Sequence, residues 1–144
     1  MDANYFRESW ESGCFGGFLF AKEVIKKFLI EKTAGTLIFT GASASLRGKS
    51  NFGAFNSAKG ALRNLAQALA KEYAENSIHI SHVIVDGGLA GERIKQRLSD
   101  FEERVKEGKL INIENVTDAY MFLYNQSKDA WTFELDVRTF QENW

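Results

Sequence analysis

The chain reads as an α/β fold built on a parallel sheet, and three adjoining stretches predict it. Gly35-Thr36-Leu37-Ile38-Phe39-Thr40 is a short apolar run, opened by glycine and rich in β-formers, which reads as a buried strand. Between Phe55 and Tyr73 the apolar positions 58, 61, 62, 65, 66, 69, 70 and 73 recur at helical spacing and predict an amphipathic helix. A second apolar run, Ile78 to Val85, then ends in Asp86-Gly87-Gly88. Strand, helix and strand with short connections make a βαβ unit, whose strands are parallel and whose crossover is right-handed.

Taken from the N-terminus, residues 1 to about 31 read as one long helix. Phe6, Trp10, Phe15, Phe18, Leu19, Val24, Ile25, Phe28 and Leu29 supply its broad apolar face. Gly13, Gly16 and Gly17 lie in its interior, where each glycine costs about 1 kcal/mol relative to alanine. They read either as a weak point or break in the helix or, the favoured reading, as a small-residue face for close approach of another backbone. The strand at 36–40 delivers its carboxyl end to the loop Gly41-Ala42-Ser43-Ala44-Ser45, where open α/β sheets place their ligands. Thr40-Gly41 does not begin a dinucleotide loop of the type Thr-Gly-x-x-x-Gly-x-Gly, because Ser45 and Arg47 stand where that pattern needs glycine.

Beyond the second strand, Glu92 to Lys109 is highly charged, yet Ile94, Leu98, Phe101 and Val105 recur at i, i+4, i+7 and i+11. That spacing predicts an exposed helix with one narrow apolar face. Asn115-Val116-Thr117-Asp118 offers capping residues for a helix over Ala119 to Tyr124. In the last segment Trp131, Phe133, Leu135 and Val137 alternate with Thr132, Glu134, Asp136 and Arg138, a half-buried strand. Its acidic residues place it at a sheet edge, since they would be costly on a strand buried on both faces.

Composition bounds the function. The 144 residues amount to one ordinary domain, 1–144, with 44% hydrophobic and 26% charged residues, a globular balance. A net charge of −1 with both signs interleaved gives no footprint for nucleic acid or an anionic membrane. Phe15 to Ile30 is interrupted by Lys22, Glu23, Lys26 and Lys27, so it is no membrane span. Cys14 is the one cysteine, which excludes a disulfide within the chain, and with no visible signal peptide the expected compartment is cytoplasmic. His79 and His82 are three apart on a strand and face opposite ways, so they do not form a metal pair.

The order and spacing of these elements resemble the C-terminal half of the short-chain dehydrogenase/reductase family. The carriers of the resemblance are the 36–40 strand, the pair Phe55-x-x-x-Lys59, the helix through Trp10 to Phe18, and the strand Trp131 to Val137. The resemblance implies a partial Rossmann-like, doubly wound parallel sheet of about three strands with flanking helices. It also implies an oxidoreductase using NAD or NADP. In that family a tyrosine phenol exchanges the alcohol proton. A lysine four residues on lowers the phenol pKa and binds the cofactor ribose, and a serine polarises the substrate oxygen. Carried over residue by residue, Phe55 takes the tyrosine position, Lys59 keeps the lysine, and Ala42 takes the serine position with Ser43 one residue later. The family's helix asparagine falls on Gly13, and its Pro-Gly after the next strand becomes Asp86-Gly87. Lys59, Ser43 and the degenerate Phe55 are thus the candidate catalytic positions, with Lys59, Gly41, Asp86 and Gly87 toward a cofactor.

The departures set the expectation. Phe55 has no ionisable proton, and general acid/base catalysis is worth roughly 10²–10⁴-fold. The glycine-rich loop and the ribose-reading residue belong to the family's N-terminal half, and nothing before Gly35 matches them. The resemblance therefore implies a truncated, catalytically impaired chain, a pseudoenzyme in isolation that does not hold NAD or NADP alone. It further implies that residues 92–109 form a lid and that helices 3–31 and 55–75 form a homodimer interface. A non-enzymatic oligomerisation module and a gene-fragment relic are the alternatives. An exposed strand edge at 36–40 adds the expectation that the chain self-associates.

Overall fold

The computed structural model describes residues 2–142. The N-terminal segment is one continuous helical rod made of α1 (Ala3–Trp10), a π-helical turn (Glu11–Phe15) and α2 (Gly16–Glu31). Asp2 caps it, accepting the Tyr5 amide at 3.0 Å. The π turn, which apolar spacing does not reveal, is closed by the Gly16 amide donating to Glu11 O. β1 (Gly35–Ala42), α3 (Gly53–Tyr73) and β2 (Ile78–Asp86) follow as the expected βαβ unit. Then come α4 (Glu92–Lys95), α5 (Phe101–Lys106), α6 (Ile113–Tyr124) and β3 (Glu134–Arg138).

The sheet has the order β1-β2-β3 and both pairings are parallel, with Gly35 opposite Ile78 and His82 opposite Glu134. β2 is central and buried along almost its whole length, as a parallel strand covered on both faces must be. β3 lies at one edge, as its acidic residues predict, and β1 at the other.

Alternation along the strands divides the residues between two layers. Leu37, Phe39, Ile78 and Ile80 turn to one face, where Ala21 and Ile25 of α2 and Leu62 and Ala66 of α3 close a core with them. On the opposite face Thr40 meets Tyr120 of α6 through their hydroxyls at 2.6 Å. Leu123 of that helix is wholly buried. Helices on both faces make the sheet doubly wound, and the partial Rossmann-like expectation holds.

The glycines of the first helix serve close approach, within the chain. A Cβ at Gly13 would stand 3.0 Å from the Ala58 Cβ, and one at Gly17 would stand 2.8 Å from a Leu62 methyl. Ala54, Ala58, Leu62 and Ala66 form the buried stripe of α3 at four-residue spacing, and the glycines fit against it. The outward surface of the rod carries an aromatic row: Trp10, Phe15 and Phe18 stack in series at 5.9 and 6.0 Å, each about 40% exposed.

Three boundaries differ from the sequence expectation. The 92–109 segment is not one helix, because α4 ends at Lys95 and α5 begins only at Phe101. Asp100 spends its carboxylate on Arg104 at 2.8 Å, and the apolar face at 94, 98, 101 and 105 is broken between the two turns. α6 begins at Ile113, earlier than expected, because Asn112 supplies the cap by accepting the amides of Glu114 and Asn115. The last strand starts at Glu134, while Trp131 stands before it, stacked on His79 at 4.9 Å.

Candidate functional site

Ser43, Phe55, Asp86 and Gly87 come together where the sequence places them, past the carboxyl ends of β1 and β2. They line a cleft of about 440 Å³ with Ala42, Arg47, Lys49, Phe52 and Asn56 among its other walls. The cleft arises because β1 ends in a 3-10 turn, Ser43–Ser45, instead of running on into a helix. The chain then loops back to enter α3 at Gly53. Phe52 stands at the helix N-cap without a side-chain hydrogen bond. Asn56, one turn in, donates to the Arg47 carbonyl and ties the loop down.

Phe55 and Lys59 occupy adjacent turns of α3. The Lys59 ammonium lies 6.0 Å from the Phe55 ring centroid and donates to the Thr40 carbonyl at 2.8 Å. Partial burial pushes the Lys59 pKa down, since desolvation disfavours the cation. The ammonium therefore pins α3 to the end of β1, one layer behind the cleft wall. Gly41 likewise faces away from the cleft. The His82 ring fills its Cβ position, with Nε2 only 2.1 Å from where that carbon would stand.

A buried polar row extends from that ring. His82 Nδ1 donates to Glu134 Oε2 at 3.0 Å, and its Nε2 lies 3.5 Å from Ser45 Oγ. Arg63 of α3 forks the same Glu134 carboxylate at 2.6 and 2.9 Å. Burial lowers the His82 pKa, with Glu134 opposing, so the ring is neutral near pH 7 with its proton on Nδ1. Glu134 is held below the ordinary carboxylate range, chiefly by the Arg63 hydrogen bonds. Hydroxyl, imidazole and carboxylate stand in the order of a nucleophilic triad. However, the His82 side chain has no exposed surface, and Ser45 Oγ accepts the Ala42 amide at 3.3 Å. The row braces the loop that carries Ser43.

Asp86 is also buried. Arg47 and Arg138 each approach its Oδ2 to 3.3 Å. Gly87 follows at φ 143°, a conformation that side chains disfavour, and turns the chain out of the sheet.

Sequence reasoning missed Arg47, Asn56, and the row formed by Arg63, His82 and Glu134. Glu134 reads as a solvated edge residue, and its partner lies far away in sequence on a helix. Only the assembled layers bring the two together. Asn56 carries a weak local signal, standing in the first turn of a helix whose N-cap is a phenylalanine. His79 and His82 do face opposite sides. His79 bonds Ser81 and the Thr132 carbonyl, and among the described residues no group of three side chains is arranged to hold a metal ion. No described helix is long and apolar enough to cross a membrane.

The residues present do not form a whole dinucleotide site. β1 ends at Ala42 and passes into the 3-10 turn Ser43–Ser45, which holds no glycine cradle for a pyrophosphate, and Lys59 is engaged by the protein's own backbone. The cleft offers only a wall beside the carboxyl ends of the strands.

Known proteins share this architecture. A family model described as enoyl-(acyl carrier protein) reductase matches residues 1–134. The chain is similar to L-xylulose reductase of Bos taurus, at 27% identity over 116 residues, covering 76% of this chain and 48% of that protein. It is also similar to 2-dehydro-3-deoxy-D-gluconate 5-dehydrogenase of Formosa agariphila, at 30% identity over 83 residues, covering 58% and 31%. A solved short-chain dehydrogenase from Rhodopseudomonas palustris superposes with a TM-score of 0.73 at 36% identity, covering 95% of this chain and 53% of that one. A putative 2-deoxy-D-gluconate 3-dehydrogenase of Agrobacterium tumefaciens, solved with bound NADP, reaches 0.82 at 16% identity over 96% and 58%, a likeness of fold alone. The chain spans less than half the length of the curated relatives it matches. With the family model matched over residues 1–134 and the βαβ unit of a parallel sheet in place, the chain belongs to the short-chain dehydrogenase/reductase family.

Proposed function

We propose that this chain is the substrate-side part of an NAD(P)-type oxidoreductase fold whose proton-transfer position is lost, a pseudoenzyme when it stands alone. One observation carries the reading. Phe55 puts an apolar ring four residues before Lys59, within 6.0 Å of the ammonium and on the cleft wall, where proton exchange with an alcohol needs a titratable group. Ser43 is available on the same wall as a hydroxyl for a substrate oxygen. Hydride transfer through this site is therefore slow, and nicotinamide binding requires polypeptide that extends the sheet beyond the free edge of β1.

The second reading is an oligomerisation module or a relic of the family without catalysis, and the Trp10-Phe15-Phe18 stack on the outer face of the helical rod favours it. Residues 3–31 and 55–75 would then form the homodimer interface.

Titration with NADH and NADPH, followed by nicotinamide fluorescence, tests the first reading. It is run on the chain alone and on the chain mixed with a polypeptide carrying the family's N-terminal strands, with Lys59→Ala as the control. Saturable binding only in the mixture, lost in Lys59→Ala, supports the oxidoreductase reading. No binding by folded protein in either arm leaves the module.

A further inference from the structure

We propose that the cleft takes a small carboxylate with an apolar body, seated between Arg47, Lys49 and the rings of Phe52 and Phe55. This deepens the reading of the same site as a substrate cleft. The charges on its walls are unequal in availability. Asp86, 3% exposed, is covered by Arg47 and Arg138. Glu142 lines the same cleft near Gly87, and its charge acts on Arg138. Arg138 also takes Asp136 as a partner, so Asp86 and Asp136 share that guanidinium, while Glu142 acts on it through its charge.

The cations Arg47 and Lys49 are freer. Arg47 spends one donor on Asp86, and its side chain remains 46% exposed. Lys49 meets no carboxylate among the described residues. Its ammonium hangs 5.3 Å from the Phe52 ring, whose π-face holds a cation without neutralising it. The cleft therefore presents a planar guanidinium fork and an ammonium without a carboxylate partner among the described residues, a pairing that suits a planar carboxylate. Beside them, Phe52 and Phe55 keep 48% and 40% of their surface exposed, and Ala42, Ala44 and Val85 extend the apolar wall. A ligand that covers those rings removes apolar surface from water while its carboxylate meets Arg47 and Lys49. The replacement that empties the site of its proton donor, Phe55, thus supplies a contact surface.

Benzoate is the probe, with benzyl alcohol as its neutral counterpart, each titrated into the ¹⁵N-labelled chain without cofactor. The expected result is a saturable shift of the Lys49, Phe55 and Gly87 amides by benzoate, at least about tenfold tighter than by benzyl alcohol, the scale of a charge-assisted hydrogen bond. Lys49→Gln weakens benzoate several-fold and leaves benzyl alcohol unchanged. Arg47→Lys, which keeps the charge and the Asp86 partner, loses the fork and weakens benzoate too. Equal affinity for the two probes, shifts mapping elsewhere, or no saturation overturns the proposal. Because no nicotinamide is present, that result leaves the outcome of the NADH and NADPH titrations independent of it.

Discussion

The Gly41 backbone lies directly on the His82 ring, so closely that a methyl group at Gly41 would fall 2.1 Å from Nε2. The ring has nowhere to go, because Glu134 holds its other nitrogen and its side chain is fully buried. Gly41→Ala is therefore expected to destabilise the chain by about 2 kcal/mol, within the usual range for overpacking. Urea unfolding of the two proteins checks this, and an unchanged midpoint would show that the ring moves freely.

The fork of Arg63 on Glu134 is the strongest tie between α3 and the edge strand. Glu134→Ala should cost roughly 2 kcal/mol, the scale of hydrogen bonds to a charged group, since the pair is only partly shielded from water. Removing Arg63 in that background should cost clearly less than removing it from the parent chain. A double-mutant cycle measures the coupling. Additive losses would mean that the fork is geometry without energy.

Stability should fall with acid in two steps. His82 in the folded chain resists protonation because burial lowers its pKa, whereas the unfolded imidazole accepts a proton near about pH 6.5. The unfolded state thus binds more protons below that point, and stability drops as the pH falls through it. Glu134, held down by Arg63, adds a second loss as the pH falls below about 4.3, where the unfolded carboxylate protonates. Urea midpoints at about pH 7.5 and 5.5 isolate the first step, which His82→Gln should abolish. Equal midpoints in the parent chain would refute it.

Phe55→Tyr offers a direct probe of the vacated position. A phenol on that ring would sit near the Lys59 ammonium, and a neighbouring cation favours phenolate. The new tyrosine should titrate below the ordinary value of about 10 by ultraviolet difference spectroscopy, and Lys59→Met should return it upward. A titration at or above the ordinary value would mean that the ammonium stays committed to the Thr40 carbonyl.

The aromatic stack on the first helical rod should mediate self-association. Sedimentation at micromolar concentration is expected to show a dimer, and Phe18→Glu should convert it to monomer without loss of helicity. A compact 16.2 kDa species for the parent chain would remove the interface.

Periodicity makes the layers legible in the sequence itself. The apolar runs at 36–40 and 78–85 are strands, the first buried mainly on one face at the sheet edge and the second on both, and the 3.6-residue stripe of α3 is read from spacing alone. Boundaries depended on local chemistry that spacing does not carry. Asn112 outcompetes the later capping residues for α6, Asp100 starts a new turn where one long helix was expected, and Gly13 sits in a π turn. The cleft was half legible. Ser43, Phe55, Asp86 and Gly87 follow from motif order, but Lys59 and Gly41 turned to the protein's own backbone and to His82. The row from Arg63 through Glu134 to His82 joins three elements and is written in no one of them.

The parallel pairing of β1 with β2 also orders events in time. Every bond of that ladder joins residues separated by the whole of α3, so no part of it can form as a hairpin does. The loop between the strands shortens only once α3 is helical and lies against the glycine seam of the preceding rod. The alanine-rich α3 is well suited to form early. Ala66→Gly should therefore slow refolding, while Leu135→Ala on the edge strand should mainly hasten unfolding, in stopped-flow chevrons. The small side chains that let two helices touch would then also set the rate at which the sheet closes.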